Sequence, residues 1–96
     1  MGNYKLSSRA TVDISDIYMY GINKFGVKLS KSYVLELHQN LNLLIKHKEL
    51  WRPAFYIKNG LFKYSYKSHI IFFVEDEHFV FISRILHKTM DFRSHL

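Results

Sequence analysis

A chain of 96 residues has room for one domain with a small core, and its content of 48 % hydrophobic and 17 % aromatic residues excludes a disordered polymer. No apolar run approaches the ~20 residues of a membrane span, and the lack of cysteine excludes disulfides and thiolate metal sites. The net charge of +6 predicts an acidic partner, either nucleic acid or an acidic protein. We therefore expect a cytoplasmic protein with no membrane partner.

The N-terminal segment predicts a short strand followed by a helix. In "NYKLSS", Tyr4 and Leu6 alternate with polar residues, which is typical of a strand. Thr11 or Asp13 is suited to cap a following helix, and Gly26 is suited to end it. The apolar residues of this helix recur at steps of three and four: Ile14, Ile17, Tyr18, Ile22 and Phe25.

A second helix follows directly and carries the strongest periodicity in the chain. It ends near His47, before Trp51 and Pro53. Because the link is so short, the two helices should form an antiparallel hairpin. The apolar residues that define the helix are Leu29, Tyr33, Leu37, Leu41 and Leu44.

After Pro53 the apolar period changes to two, which predicts strands. The segment "FYIK", then Asn59-Gly60, then "LFKYSYK" predicts a hairpin with a type I′ turn. "HIIFFV" is a further strand, residues 75–77 form an acidic turn, and "FVFISRIL" is a covered central strand. The whole chain, residues 1–96, is thus predicted as one α+β domain: an N-terminal strand and a helical hairpin packed on an antiparallel sheet of three to four strands.

The tail "RILHKTMDFRSHL" raises the main functional question. Arg84 interrupts an apolar strand, and a buried guanidinium needs a partner: a carboxylate of the first helix or of the tail, unless it opens onto a basic concave face. His87 and Asp91 are four residues apart and would meet on one side of a helical turn. Leu86 and Met90 are expected to pack on the domain.

Signs of catalysis are few. The glycines are scattered and the histidines show no paired ligand spacing, so neither a cofactor nor a metal site is predicted. A metal-free ribonuclease remains an alternative, because it needs a base, an acid and cations. His69, His87 and Arg84 with Lys63 or Lys67 are residues of the required types.

Residues 50–74 contain no acid but four cations, Arg52, Lys58, Lys63 and Lys67. This composition is compatible with a solubilising surface and equally with a binding face.

Several segments together resemble one protein family. "RILHKTMD" followed by "SHL" resembles the C-terminal signature of ParE toxins, of the ParE/RelE superfamily of toxin–antitoxin modules. "DISDIYMYGINKFG" and "SYVLELHQNLNLL" are similar to the two helices of that family, and "SHIIFFV" is similar to one of its strands. The resemblance covers the chain from about Asn3 to Leu96.

The resemblance implies the toxin of a type II toxin–antitoxin module. Such a toxin would be no enzyme and would inhibit DNA gyrase, with an indirect contact to DNA, until a cognate acidic antitoxin neutralises it. The alternative is a RelE-like ribosome-dependent mRNA endoribonuclease. We expect the antitoxin to lie near Lys58, Lys63 and Lys67, and deletion of residues 92–96 to leave a folded domain that inhibits gyrase less. The residues expected to contact gyrase or DNA are Arg84, His87, Lys88, Met90, Asp91 and Arg93.

Overall fold

The computed structural model describes residues 3–96 and has two layers, a helical hairpin and a five-stranded sheet. The spatial order of the strands is β1-β5-β4-β3-β2. The α+β prediction is therefore confirmed. The elements are β1 (Tyr4–Leu6), α1 (Ser8–Phe25), α2 (Val27–Lys46), a 3₁₀ turn (Lys48–Leu50), β2 (Arg52–Pro53), β3 (Leu61–Tyr66), β4 (His69–Glu75), β5 (Val80–His87) and α3 (Phe92–His95).

Helix α1 begins earlier than the sequence pattern predicted. Ser7 caps it, because the Ser7 hydroxyl accepts a hydrogen bond from the backbone N–H of Ala10 at 2.9 Å. The proposed caps Thr11 and Asp13 lie inside the helix, and the carboxylate of Asp13 bonds to the sheet instead. Helix α1 ends as predicted at Gly26, whose φ of 92° favours glycine.

The two helices form the predicted hairpin and approach closely at Gly21. A side chain at position 21 would collide with Ser30 of α2, so glycine permits this packing distance. The Ser30 hydroxyl donates to the carbonyl of Tyr18 at 2.6 Å and thereby ties the helices together.

Strand β5 lies between two neighbours, as expected of a covered strand. β1 pairs with it in parallel, with Tyr4 opposite Val80, whereas β4 pairs with it antiparallel, with His69 opposite His87. The four strands after α2 form the predicted antiparallel sheet, and β1 adds a parallel edge. An irregularity in the β4–β5 pairing occurs between Phe72 and Phe73.

Apolar residues cover both faces of the sheet. On the helix side, Leu37, Leu41 and Leu44 of α2 pack against Ile71 and Phe73 of β4. The other side has a smaller cluster, which we call the second cluster. Its buried members are Ala54, Leu61, Phe72 and Leu86, with Ile57, Ile70, Val74, Phe92 and Leu96 packed around them.

The predicted "FYIK" strand is wrong. Ala54 donates to the carbonyl of Leu61 at 2.8 Å, and the chain between them folds into successive turns. Strand β2 is only Arg52–Pro53. Gly60 has a φ of 78° but Asn59 has no positive φ, so the turn is not of type I′. The buried Ala54 side chain draws this segment onto the second cluster and away from the sheet edge.

Candidate functional site

Arg84 is occupied by an internal ion pair. Its Nε and Nη2 donate to the two carboxylate oxygens of Asp13, each at 2.9 Å, and its Nη1 donates to the carbonyl of His95 at 2.9 Å. Both side chains are largely buried, with 15 % and 10 % of their surface exposed. The carboxylate raises the pKa of Arg84. Of the alternatives considered for Arg84, a carboxylate of the first helix is the one observed. A contact of Arg84 with gyrase stays a prediction.

Asp13 completes the open edge of β5. Strand β1 ends at Leu6 opposite Ile82, so the backbone of β5 beyond that point lacks a strand partner on this side. The carboxylate of Asp13 fills the gap by accepting from the N–H of Ile85 at 2.9 Å. The ion pair therefore belongs to the architecture of the sheet.

A groove of about 840 Å³ lies between the helical hairpin and the ends of β4 and β5. Tyr20, Phe25 and Leu29 line it from the helices, and Met90 lines it from the C-terminal segment. All four side chains are exposed. This groove is an apolar surface open to a partner.

A histidine pair lies at the floor of the groove. His69 and His87 face each other across β4 and β5, with ring centres 5.4 Å apart. The Tyr33 hydroxyl lies 2.8 Å from Nδ1 of His69. Burial, with a smaller contribution from the neighbouring His87, lowers the pKa of His69 from 6.5 to about 4. His69 is therefore neutral at pH 7.

Lys67 is at the rim of this groove, in the turn between β3 and β4. Its ammonium lies 2.6 Å from the carboxylate of Glu36. It also lies over two rings, at 5.2 Å from the centre of Tyr33 and 5.5 Å from that of Tyr66. The bond to Glu36 raises the pKa of Lys67, and the bond to Lys67 lowers the pKa of Glu36.

The three lysines expected at one antitoxin surface do not lie together. Lys67 contacts Glu36 of α2. Lys63 points to the other face of the sheet, on the side of Leu61, and its ammonium donates to the Tyr56 hydroxyl at 2.9 Å. Lys58 is in the loop before β3 and is exposed.

The C-terminal segment is partly surface. Lys88, Met90 and Arg93 are exposed, and Met90 retains 44 % of its surface, so the expectation that Met90 packs on the domain is wrong. Asp91 caps α3 by accepting from the backbone N–H of Arg93 at 3.3 Å, and it also accepts from the hydroxyl of Ser94 at 2.6 Å. His87 instead bonds to Thr89, at 2.8 Å between Nδ1 and the hydroxyl oxygen, because the chain turns before a helix could bring it to Asp91.

The end of the chain is also part of the core. Leu86 is buried as predicted, and Phe92 and Leu96 pack beside it on the second cluster. The ring of Phe92 meets Phe72 edge-on at 5.1 Å. Residues 92–96 therefore combine exposed charge with apolar packing, and the sequence pattern did not reveal the packing.

Two negative findings apply to residues 3–96. No cluster of three or more His, Cys, Asp or Glu side chains there is arranged to bind a metal ion. None of the helices in this range combines the length and the hydropathy needed to cross a bilayer.

Comparison with known proteins identifies both the fold and the family of this chain. The model of the ParE toxin family, described as the ParE toxin of the type II toxin–antitoxin system parDE, matches residues 4–92. Toxin ParE1 of Caulobacter vibrioides is 31 % identical over 96 residues, which are 100 % of this chain and 99 % of that protein. The solved chromosomal ParDE system of P. aeruginosa has the same fold, with a TM-score of 0.79 at 18 % identity over 91 % of this chain and 96 % of that chain. The chain belongs to the ParE toxin family of type II toxin–antitoxin systems.

Proposed function

We propose that this toxin inhibits DNA gyrase in the cytoplasm, without catalysing a reaction, and that a cognate antitoxin neutralises it. Membership of the ParE family carries the proposal. The open apolar groove, which supports a bound protein segment better than a small polar substrate, agrees with it.

The antitoxin segment is proposed to be amphipathic and acidic. Its apolar side would cover Tyr20, Phe25 and Leu29, and its carboxylates would lie near Lys24 and Lys67, which line the same groove. A contact of the antitoxin with Lys58 and Lys63 stays a prediction, since these residues lie away from the groove.

Leu29→Glu tests this placement, with Leu35→Glu as the matched control. Both leucines are on α2 and equally exposed, at 62 % and 60 %, but only Leu29 lines the groove. A carboxylate at position 29 should weaken antitoxin binding by at least about tenfold, because it repels an acidic segment inside the groove. Equal affinities of the two variants in a calorimetric titration would contradict the placement.

The gyrase contact is proposed at the C-terminal segment. Lys88, Met90 and Arg93 are exposed there, with His87 and Asp91 beside them. Lys88→Gln/Arg93→Gln should weaken the inhibition of supercoiling by purified gyrase. Lys28→Gln/Lys46→Gln removes the same charge from exposed positions of α2 and should leave inhibition unchanged. Equal inhibition by both double variants would move the contact elsewhere.

The ribonuclease alternative has one supporting observation, the His69–His87 pair beside Lys67. A general acid or base works best with a pKa near the operating pH, whereas the pKa of His69 is lowered to about 4. The low pKa favours the non-enzymatic function. Site-specific mRNA cleavage on a programmed ribosome, lost in His69→Gln or His87→Gln, would overturn the gyrase proposal.

A further inference from the structure

We propose that the loop before β3 binds single-stranded nucleic acid directly. The surface consists of Arg52, Phe55, Tyr56, Lys58 and Lys63, and we call it the basic loop surface. This inference goes beyond gyrase inhibition and does not depend on it, because it concerns the β2–β3 edge of the sheet, and none of its residues lines the antitoxin groove.

Two aromatic rings are presented to solvent on this surface. Phe55 is 52 % exposed and Tyr56 is 63 % exposed, although neither ring is needed to fill the core. The loop that carries them is held by backbone bonds, from Ala54 N–H to the Leu61 carbonyl at 2.8 Å and from Leu61 N–H to the Lys58 carbonyl at 3.1 Å. The rings are therefore displayed on a defined turn.

A layer of packed aromatic residues supports the first ring. Phe55 meets Phe62 edge-on with centres 5.3 Å apart, and Phe62 in turn lies 5.2 Å from the buried Trp51. Rings that are anchored at one edge and open on the other can stack with unpaired bases at a low cost in conformational entropy.

The cations around the rings form no ion pair with a carboxylate of the described residues. Lys63 lies 5.4 Å from the ring centre of Tyr56 and donates to its hydroxyl, and Arg52 is directly opposite Lys63 in the β2–β3 pairing. The Arg52 guanidinium reaches only the carbonyl of Glu49, at 3.4 Å. Within residues 3–96, no carboxylate lies within ion-pair distance of Arg52, Lys58 or Lys63.

The neighbouring acids are already engaged. Residues 50–74 contain none, Glu49 pairs with His47 at 3.0 Å, and Glu75 pairs with Lys48. Among the described residues, the three cations thus have no carboxylate partner of their own, unlike Lys67 with its Glu36 partner. Phosphates would be attracted to the three cations while bases stack on the rings.

Single-stranded nucleic acid fits these features better than an acidic protein or a duplex. An acidic peptide would use the cations but would leave two exposed rings without a function. A duplex hides its base faces, and the loop presents neither a helix nor a β-ribbon that could enter a groove. The expected binding is tolerant of sequence, because every base has a face that can stack.

The test is fluorescence anisotropy with a fluorescein-labelled oligothymidylate of twenty nucleotides and a duplex of equal length. Tyr56→Ala should weaken binding of the single strand by about tenfold, the order of one lost base stack. Lys58→Gln/Lys63→Gln should lower the slope of log K against log salt concentration by about 1.4, which is 0.7 for each lost phosphate contact on a single strand.

A chemically matched control exists on α1. Lys24 donates to the Tyr20 hydroxyl at 3.2 Å and lies 5.6 Å from its ring centre, and Tyr20 is 61 % exposed. Tyr20→Ala/Lys24→Gln removes the same pair of groups from the antitoxin groove. This variant should bind the oligothymidylate like the unmodified protein and should bind antitoxin more weakly.

Four results would overturn the inference: no binding of the oligothymidylate at low salt, equal affinity for the duplex, equal losses in Tyr56→Ala and the control, or weaker antitoxin binding in Tyr56→Ala with unchanged binding of the oligothymidylate. Thermal melts of each variant check the fold. Gyrase is absent from the assay, so failure here leaves the proposed gyrase inhibition untouched.

Discussion

Replacing Asp13 by alanine tests whether the internal ion pair holds the sheet together. The change removes both carboxylate oxygens that bind Arg84 and the acceptor for the N–H of Ile85. It leaves a guanidinium with 15 % of its surface exposed, bonded only to the carbonyl of His95. The variant therefore acquires an uncompensated buried charge and an orphaned backbone donor at the edge of β5.

The expected loss in the free energy of unfolding is ~3–5 kcal/mol, the usual cost of removing one partner from a buried pair. The orphaned N–H of Ile85 alone would cost ~1–3 kcal/mol, and this overlaps with the first figure because both concern one carboxylate. A domain of this size has ~5–15 kcal/mol in total, so Asp13→Ala sits close to the limit of folding.

Urea unfolding followed by circular dichroism measures the effect. Asp13→Asn keeps one acceptor oxygen, so its free energy of unfolding should fall by less, about 1.5–3 kcal/mol. It provides a folded variant if Asp13→Ala does not fold. Asp13→Leu/Arg84→Met should regain part of the loss, because it removes both charges together but leaves the N–H of Ile85 without its acceptor. Asp16→Ala, an exposed acid on the same helix, should change stability by no more than about 0.5 kcal/mol. If Asp13→Ala matched Asp16→Ala, the ion pair would be structurally unimportant.

Three further predictions concern pH and packing. The folded protein should lose stability as pH falls from 6.5 towards 4, because burial lowers the pKa of His69 and the unfolded chain then binds the proton more readily. In urea midpoints measured across that range, His69→Gln should flatten the decline. A pH profile unchanged by this substitution would contradict the lowered pKa of His69. Phe92→Ala should cost about 1–3 kcal/mol, below the value for a fully buried phenylalanine because Phe92 is half-buried, whereas the exposed Arg93→Ala should melt like the unmodified protein. Gly21→Ala should lower the melting temperature because the added methyl group meets Ser30. Ser30→Gly in the same protein should restore part of the lost melting temperature. An unchanged melting temperature in Gly21→Ala would show that the two helices can move apart at little cost.

The sequence alone predicted a helix or strand correctly wherever burial of one face imposes a regular spacing on the apolar residues. In α2, Leu37, Leu41 and Leu44 of the predicted stripe are buried against the sheet, whereas Leu29 at its start is 62 % exposed. The alternation of β3 follows in the same way from one face packed under the helices. Arg84 illustrates a second source of information. A charge inside an apolar strand requires compensation, so a carboxylate of the first helix was one of the alternatives expected, although Asp13 lies 71 residues away in the chain.

Errors arose where tertiary contacts outweighed local pattern. "FYIK" has strand propensity, but the ladder stops at Pro53 because Ala54 is drawn into the second cluster. The cap of α1 was misplaced for a similar reason, since the sheet edge claims the carboxylate of Asp13 and leaves capping to Ser7. Neither contact can be recognised from the residues that are adjacent in the sequence.

The candidate sites show the same limit more strongly, because a charge count cannot tell which cations are neutralised. Lys63 and Lys67 are four residues apart and look equivalent in the sequence. In the fold, Lys67 meets the carboxylate of Glu36, 31 residues away, whereas Lys63 donates to the hydroxyl of Tyr56 and lies over its ring. A lysine that already pairs with a carboxylate attracts a second acidic group less strongly than one without such a pair, and a lysine beside an exposed ring adds a stacking surface. The acid-free run between residues 50 and 74 shows where cations are concentrated in the sequence, but only the folded contacts show that Lys67 is paired with a carboxylate and that Lys63 lies against a tyrosine.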